Sequence, residues 1–180
     1  MTTIRRLLPL LLVLSIGLNV WQWSGSRHAA ASHWQEAVRE FWGANYWLNA
    51  FVNQVSDPAV DWDDLGFRFS LAQTLDRATI YAQAAGSALG LRGDRWRVSA
   101  ALNSLGFDLT DLGSAAARLV LSAGAAPDES RAKLLAFASH LTAAGWPIES
   151  PSLADAEGWS RMADSLEGLL QRMHGGGSPG

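Results

Sequence analysis

The chain has 180 residues, of which 48% are hydrophobic and 17% charged. It therefore contains enough apolar material for one folded domain and is not a disordered protein. It contains no cysteine, which excludes disulfides, thiolate metal sites and cysteine nucleophiles. The formal net charge of -3 argues against a nucleic-acid-binding protein, which should show a basic excess.

The N-terminus carries the pattern of an export signal. Residues 1–6 form a basic n-region, and residues 7–23 form an apolar run that ends at Trp21 and Trp23. A transmembrane helix needs about 20 apolar residues, and residues 7–23 give 17, the lower end of the workable range; tryptophan favours the level of the lipid headgroups. We therefore expect residues 7–23 to lie in the lipid bilayer as a retained, single-pass anchor of the cell membrane.

Cleavage of the same segment is the alternative, and the protein would then be secreted. Ser24 and Ser26 supply the small residues that a cleavage site requires, while Pro9 and Gly17 weaken a long membrane-spanning helix. In both interpretations residues 1–6 stay in the cytoplasm and the body of the chain is extracytoplasmic, because basic residues favour the cytoplasmic side.

The exported body, residues 32–174, is predicted to be all-α, with a flexible tail at residues 175–180. Its first helix begins at Ser32 as N-cap and continues to Val55. Apolar residues recur along it at spacings typical of a helix: Trp34, Val38, Phe41, Leu48, Phe51, Val52 and Val55. Between Phe41 and Val52 the helix is apolar on most sides, so we expect it to be the most enclosed and to contact at least two others.

A second helix is predicted after the break at Asp57-Pro58 and extends to about Leu89. Asp61, Asp63 and Asp64 come just before it, where carboxylates complement the helix dipole. We favour this interpretation over a cation site, because the glycine and terminal glutamate of an EF-hand loop are missing. The residues expected to face inward are Leu65, Phe69, Ala72, Leu75, Ala82 and Leu89.

Three more helices complete a predicted antiparallel bundle of four to five helices. The third lies between Asp94 and Gly124, the fourth runs from Pro127 to about Ala144, and the fifth opens at Ser150. The third has the clearest apolar stripe, made of Val98, Leu102, Leu105, Leu109, Leu112, Ala116 and Leu119. On the fifth, the inward residues are predicted to be Trp159, Met162, Leu166, Leu169 and Met173.

The first helix also carries a candidate ligand-binding face. It consists of amides at every fourth residue and the aromatic rings beside them: Asn45, Asn49, Asn53, Trp42, Tyr46 and Trp47. Rings that stack and amides that hydrogen-bond are typical of small-ligand and sugar sites. The alternative, which the scatter of nine tryptophans over all segments favours, is that the amides face water and the rings fill the core.

Small residues form a ridge along the second helix: Ala78, Ala82, Gly86 and Gly90. Such a ridge lets two helix backbones approach closely, and a homodimer contact is one interpretation. Internal packing against a neighbour, such as residues 115–117 of the third helix, is favoured.

The sequence predicts no catalytic residue, metal site or cofactor. It contains no Gly-x-Ser-x-Gly, His-Glu-x-x-His, P-loop or paired Glu-x-x-His pattern. Arg92, Arg95 and Arg97 flank Trp96 and are a candidate phosphate site, although Asp94 among them favours a solvated helix start. We therefore do not expect an enzyme.

The leading functional hypothesis is a membrane-anchored extracytoplasmic protein of a bacterial-type envelope, acting as a binding or scaffolding module for another envelope protein. The alternative is an exported small-ligand-binding or sensory bundle that uses the aromatic and Asn face of the first helix. A hydrolase with a noncontiguous site is a third hypothesis. A binding module should expose an apolar patch, a receptor should enclose a pocket lined by those aromatic and Asn side chains, and a hydrolase should hold a titratable pair in a cleft.

Overall fold

Five helices make up the described part of the protein, and no strand occurs in it. The computed structural model describes residues 34–89, 95–122, 124–152 and 155–175. The helices are α1 (34–56), α2 (Leu65–Leu89), α3 (Arg95–Leu121), α4 (Asp128–Ala143) and α5 (Ala156–His174). The all-α bundle is therefore confirmed.

The predicted anchor, residues 7–23, lies outside the described residues, as do residues 176–180 of the tail. The chain divides into residues 1–35 and a compact unit of residues 36–180, and the bundle belongs to the second. Within the described ranges, no helix combines the length and apolar character needed to span a membrane.

Helices α1 and α2 form an antiparallel pair. The Arg77 guanidinium lies over the Trp47 ring at 5.5 Å, and Gln54 Nε2 donates a hydrogen bond to Ser70 Oγ at 3.1 Å. The later residue of α1, Gln54, thus contacts the earlier residue of α2, Ser70, which shows that the two helices run in opposite directions.

Helix α3 runs antiparallel to α2 and parallel to α5. Ser99 Oγ, near the start of α3, donates to the carbonyl of Gly86, near the end of α2, at 2.6 Å. Arg97 pairs with Glu167 of α5 at 2.6 Å, and farther along α3 the Asp108 carboxylate lies 3.1 Å from His174 Nε2. The up-and-down order predicted from the short turns is therefore present.

The core contains the residues that the sequence placed there most clearly. All seven predicted inward residues of α3 are buried. Phe41, Leu48 and Phe51 of α1 are at most 2% exposed. Helix α1 contacts α2 as described and also α4, where the rings of Phe51 and Phe137 lie 5.6 Å apart. The prediction that α1 contacts at least two other helices is confirmed.

The predicted inward face of α2 is wrong at its N-terminal end. Leu65 and Phe69 are 60% and 56% exposed, whereas Arg68 and Leu71 are buried. Apolar residues lie on several sides of α2. A helical spacing of three and four residues can therefore be drawn through two sets of positions that are shifted by one residue, and only one set faces the core. The set that faces the core includes Arg68, and it was not chosen because a charged residue normally faces solvent.

The predicted start of α5 at Ser150 is also wrong, because the helix begins at Ala156. Asp155 is its N-cap, and the Asp155 side chain accepts a hydrogen bond from the backbone N–H of Gly158 at 2.8 Å. Asp caps a helix as well as Ser does, so the sequence offered two starts. Residues 144–155 form the connection between α4 and α5.

Helix α4 ends as the sequence predicts, with Gly145 in the left-handed conformation at φ 73°. The Gly145 N–H donates to the carbonyl of Thr142, and the Trp146 N–H donates to the carbonyl of Leu141, each at 3.0 Å. This is the Schellman arrangement, in which glycine avoids the Cβ strain of positive φ. The turn directs Trp146 toward α1, where its ring lies edge-on to Phe41 at 6.4 Å.

Candidate binding surface on the first helix

The outward side of α1 carries an exposed row of aromatic and amide side chains. We call Trp42, Tyr46, Asn49 and Asn53 the outer ridge. Trp42 is 64% and Tyr46 67% exposed, and both asparagines are exposed. Spacings of three and four residues align them along one side of the helix. The opposite side is filled by buried residues, which leaves the rings no place in the core: Ala44, Leu48 and Phe51.

Asn45 does not belong to this face, contrary to the sequence-based expectation. It is 7% exposed, and its Nδ2 donates to the carbonyl of Ile148 at 2.7 Å. Four residues advance a helix by about 40° beyond a full turn, so Asn45, Asn49 and Asn53 spiral from the buried side to the exposed side. Asn45 therefore ties α1 to the α4–α5 connection, and only the other two asparagines face solvent.

Trp47 supports the ridge from the α2 side. Its ring lies edge-on to Tyr46 at 5.1 Å and 87°, and the Arg77 guanidinium lies over it at 5.5 Å. Edge-to-face pairs and cation–π contacts each contribute about 0.5–1.5 kcal/mol. Trp47 is half-buried as a result and holds the Tyr46 ring in place.

The stretch of α1 that carries the ridge contributes no ionised group of its own, although Arg77 of α2 lies beside it over the Trp47 ring. Residues 41–56 include no charged residue. At the N-terminal end Arg39 is paired with its neighbour Glu40 at 2.6 Å, and at the other end the next charge is Asp57. The hydrogen bond and charge of Glu40 raise the pKa of Arg39, so that group stays a cation engaged by its own neighbour.

The small-residue ridge of α2 serves internal packing over the part that the structure describes. Three of its members are buried: Ala78, Ala82 and Gly86. A Cβ on Gly86 would overlap the side chain of Asn103, and Ser99 bonds the Gly86 carbonyl. The neighbours at Gly86 thus come from the first half of α3, not from residues 115–117. Gly90 lies outside the described residues.

Arg95 and Arg97, the members of the candidate phosphate site that the structure describes, are engaged within the bundle. Arg97 Nη2 contacts Glu167 at 2.6 Å and Asp164 at 2.8 Å, and these hydrogen bonds raise the pKa of Arg97. Arg95 lies over the Trp159 ring at 5.8 Å. Both arginines therefore serve the α3–α5 contact. Arg92 lies outside the described residues.

A groove of about 230 Å³ lies where α3, α4 and the end of α5 meet. Its titratable residues are Asp108, Asp111, Lys133, His140 and His174. His174 Nε2 lies 3.1 Å from both carboxylate oxygens of Asp108, and Lys133 donates to Asp111. That hydrogen bond lowers the pKa of Asp111. Within the described ranges, no three His, Asp or Glu side chains are grouped to hold a metal ion.

The sequence interpretation missed a polar junction, which we call the Arg68 joint. Arg68 is 1% exposed. Its Nε donates to Trp62 O at 2.6 Å, and its Nη1 donates to Leu119 O at 3.0 Å. The remaining acceptors are Ser122 O, Ser122 Oγ, Asp63 Oδ1 and Gly124 O. A cation here satisfies carbonyls at the C-terminal end of α3, which lack partners within the helix.

The acidic cluster before α2 acts as the sequence predicts, at the start of a helix. Both carboxylate oxygens of Asp64 accept backbone N–H groups, from Gly66 at 3.0 Å and Phe67 at 3.2 Å. Asp63 Oδ1 accepts from Arg68 and from the Ala126 N–H at 2.8 Å. The pair of Asp63 and Arg68, five residues apart and flanking a helix start, was the available sequence signal for the joint.

Comparison with models of protein families, with curated proteins and with solved structures found no match to this chain. Among the surfaces above, the outer ridge has two large exposed aromatic side chains in successive turns. In the groove Lys133 contacts Asp111 and His174 contacts Asp108, and in the joint Arg68 contacts Asp63.

Proposed function

We propose that the protein is a membrane-anchored extracytoplasmic binding module whose outer ridge contacts another component of the cell envelope. The observation that carries the proposal is the exposure of Trp42 and Tyr46, at 64% and 67%, in successive turns of a helix whose other side is fully packed. Aromatic side chains are enriched in the buried centres of interfaces. The anchor expected at residues 7–23 would keep the module at the membrane.

The shape of the ridge favours an extended partner over an enclosed small ligand. Small-ligand sites are concave and bury most of the ligand. Trp42 and Tyr46 stand outward on a convex helix surface, and Asn45 is turned away from them toward Ile148. The receptor hypothesis needs these three side chains around one cavity, so the binding-module hypothesis has the better support.

Site-specific photocrosslinking of the full chain in the cells that produce it tests the proposal. Benzoylphenylalanine replaces Asn49, which lies within the ridge, or Ser114, which is exposed on α3 as a control. We expect a crosslinked product from position 49, none of the same size from position 114, and loss of the product on Trp42→Ala. Phe107→Ala is the matched variant, because Phe107 is an aromatic residue on α3 that is 73% exposed.

The proposal is wrong if position 49 gives no product. It is also wrong if Trp42→Ala and Phe107→Ala have the same effect, because the ridge would then have no special part in binding.

A further inference from the structure

We propose that the outer ridge binds an uncharged glycan chain. This inference rests on the proposed function and names the ligand of the same surface. A sugar ring presents an apolar face of C–H groups and a rim of hydroxyls. The exposed rings of Trp42 and Tyr46 offer flat apolar surfaces on which the apolar face of a sugar can stack. The exposed amides of Asn49 and Asn53 can both donate and accept hydrogen bonds, as hydroxyls require.

The charges around the ridge point to a neutral ligand. No ionised group lies between residues 41 and 56, Arg39 is paired with Glu40, and Arg77 is held over Trp47. A phosphate, an acidic sugar or a charged peptide would lose water on docking here, and the residues of α1 between 41 and 56 would offer it no counter-charge; the exposed Arg77 guanidinium on α2, over the Trp47 ring, lies beside the ridge and not on it. The hydroxyls of a neutral chain also lose water, but this cost is smaller than that of an ionised group, and the amides of Asn49 and Asn53 can replace the lost hydrogen bonds.

The length of the ridge fits a chain of several sugars. At a rise of 1.5 Å per residue, Trp42 and Tyr46 lie about 6 Å apart along the axis, and Asn53 lies roughly 16 Å from Trp42. Stable protein interfaces bury about 800 Å² on each partner. Two rings that are two-thirds exposed supply roughly 300 Å², so a protein partner is the less favoured occupant.

The ridge is also held in its binding geometry before a ligand arrives. It lies on a helix fixed by Phe41, Leu48 and Phe51 in the core, and Tyr46 leans on Trp47 at 5.1 Å. A preformed surface loses little conformational freedom on binding, which helps a ligand that offers only stacking and neutral hydrogen bonds.

Calorimetric titration tests the inference on the full chain in a detergent without sugar headgroups. The probes are the neutral hexamers chitohexaose and cellohexaose and, as an acidic control, the hexamer of galacturonate. We expect a neutral hexamer to bind and the acidic hexamer not to bind. Trp42→Ala and Tyr46→Ala should each weaken binding about tenfold, while Trp42→Phe, which keeps a ring, and Phe107→Ala should leave it within about twofold.

The possible failures separate the two proposals. If neither neutral hexamer binds while the crosslink from position 49 still depends on Trp42, the glycan inference is wrong and the binding module stands with a protein partner. Equal binding of the acidic hexamer, or an equal loss on Phe107→Ala, also overturns the glycan inference. If both the crosslink and glycan binding are missing, both proposals are wrong.

Discussion

The Arg68 joint and the outer ridge of α1 both have a solvent exposure opposite to the one that side-chain polarity alone suggests. Arg68 is charged and 1% exposed, whereas Trp42 and Tyr46 are largely apolar and about two-thirds exposed. Arg68 is buried because carbonyls at the end of α3 and a carboxylate surround it. The two rings are exposed because the inward side of α1 is already full. Burial here follows from available partners and space more than from hydrophobicity.

The difference also separates two roles. The joint connects the loop before α2 to the loop after α3, and every one of its contacts is internal. The ridge makes its internal contacts through Trp47 and leaves its outer surface open. Changes at the joint should therefore affect stability, and changes at the ridge should affect binding.

The largest effect is expected for Arg68→Met, which keeps an apolar stem and removes every donor. The carbonyls around Arg68 then lose a buried donor, and the Asp63 carboxylate keeps the Ala126 N–H but loses its cation, so the free energy of unfolding should fall by about 3–5 kcal/mol. Urea unfolding of residues 32–174, followed by circular dichroism, measures it. Arg118→Met, at an exposed position on α3, is the control and should stay within about 0.5 kcal/mol. If Arg68→Met and Arg118→Met lowered the unfolding free energy equally, the Arg68 joint would have no special part in stability.

Leu48→Ala comes next and tests the packed side of α1 directly beneath the ridge. Leu48 is 0% exposed, so its truncation should cost about 2–5 kcal/mol in the same urea experiment. The adjacent Asn49→Ala, on the exposed side, should cost no more than about 0.5 kcal/mol. A silent Leu48→Ala would mean that α1 is not central, and the contrast between its two sides would disappear.

A charge pair at the surface should contribute far less than the Arg68 joint, and only above acidic pH. Lys133 lowers the pKa of Asp111 in the fold. A lowered carboxyl pKa stabilises the fold above the unfolded pKa, and the contribution is lost as the pH falls through the folded value. Both side chains are well exposed, so we expect less than about 0.5 kcal/mol.

Comparing the wild type with Lys133→Met across the pH range checks this. The difference in unfolding free energy should be present at about pH 6 and close on acidification below about pH 4. A difference that grows on acidification would contradict the sign.

The smallest stability effect is expected at the ridge itself. Trp42→Ala removes a ring that is 64% exposed, so the free energy of unfolding should change by no more than about 0.5 kcal/mol. Thermal and urea unfolding of the same fragment measure it. A loss of 2 kcal/mol or more, on the order of a buried side chain, would show that the ring is part of the core and would end its use as a binding surface.

The sequence predicted the parts of the fold in which one pattern admits one solution. The stripe on α3 has polar residues on both flanks, so only one face can be inward, and all seven of its predicted core residues are buried. The largely apolar stretch between Phe41 and Val52 predicted that α1 contacts at least two helices, and Phe41, Leu48 and Phe51 are buried as expected. Local pattern and packing agree along α3 and on the inward side of α1, whereas the expectation that the rings of α1 fill the core is wrong for Trp42 and Tyr46.

The remaining features depend on distant partners that a single sequence does not reveal. Arg68 can be buried only because Leu119 and Gly124 supply carbonyls from another helix end. Asn45 turns inward because Ile148 offers an acceptor at 2.7 Å. The six ring and amide residues proposed on α1 were consequently divided by the structure: four form the ridge, Trp47 supports it, and Asn45 serves the fold.

The Arg68 joint also has a consequence for the order in which the chain folds as it is made. The acceptors on α3 and beyond lie 51 to 56 residues later in the chain than Arg68. At a synthesis rate of about 5–20 residues per second, the arginine therefore waits roughly 3–11 s for them. During that time its charge has to stay hydrated, which keeps the first turn of α2 from settling into the core. Helices α1 and α2 are thus an incomplete folding unit, and α3 must be synthesised to its last turn before the three can close together.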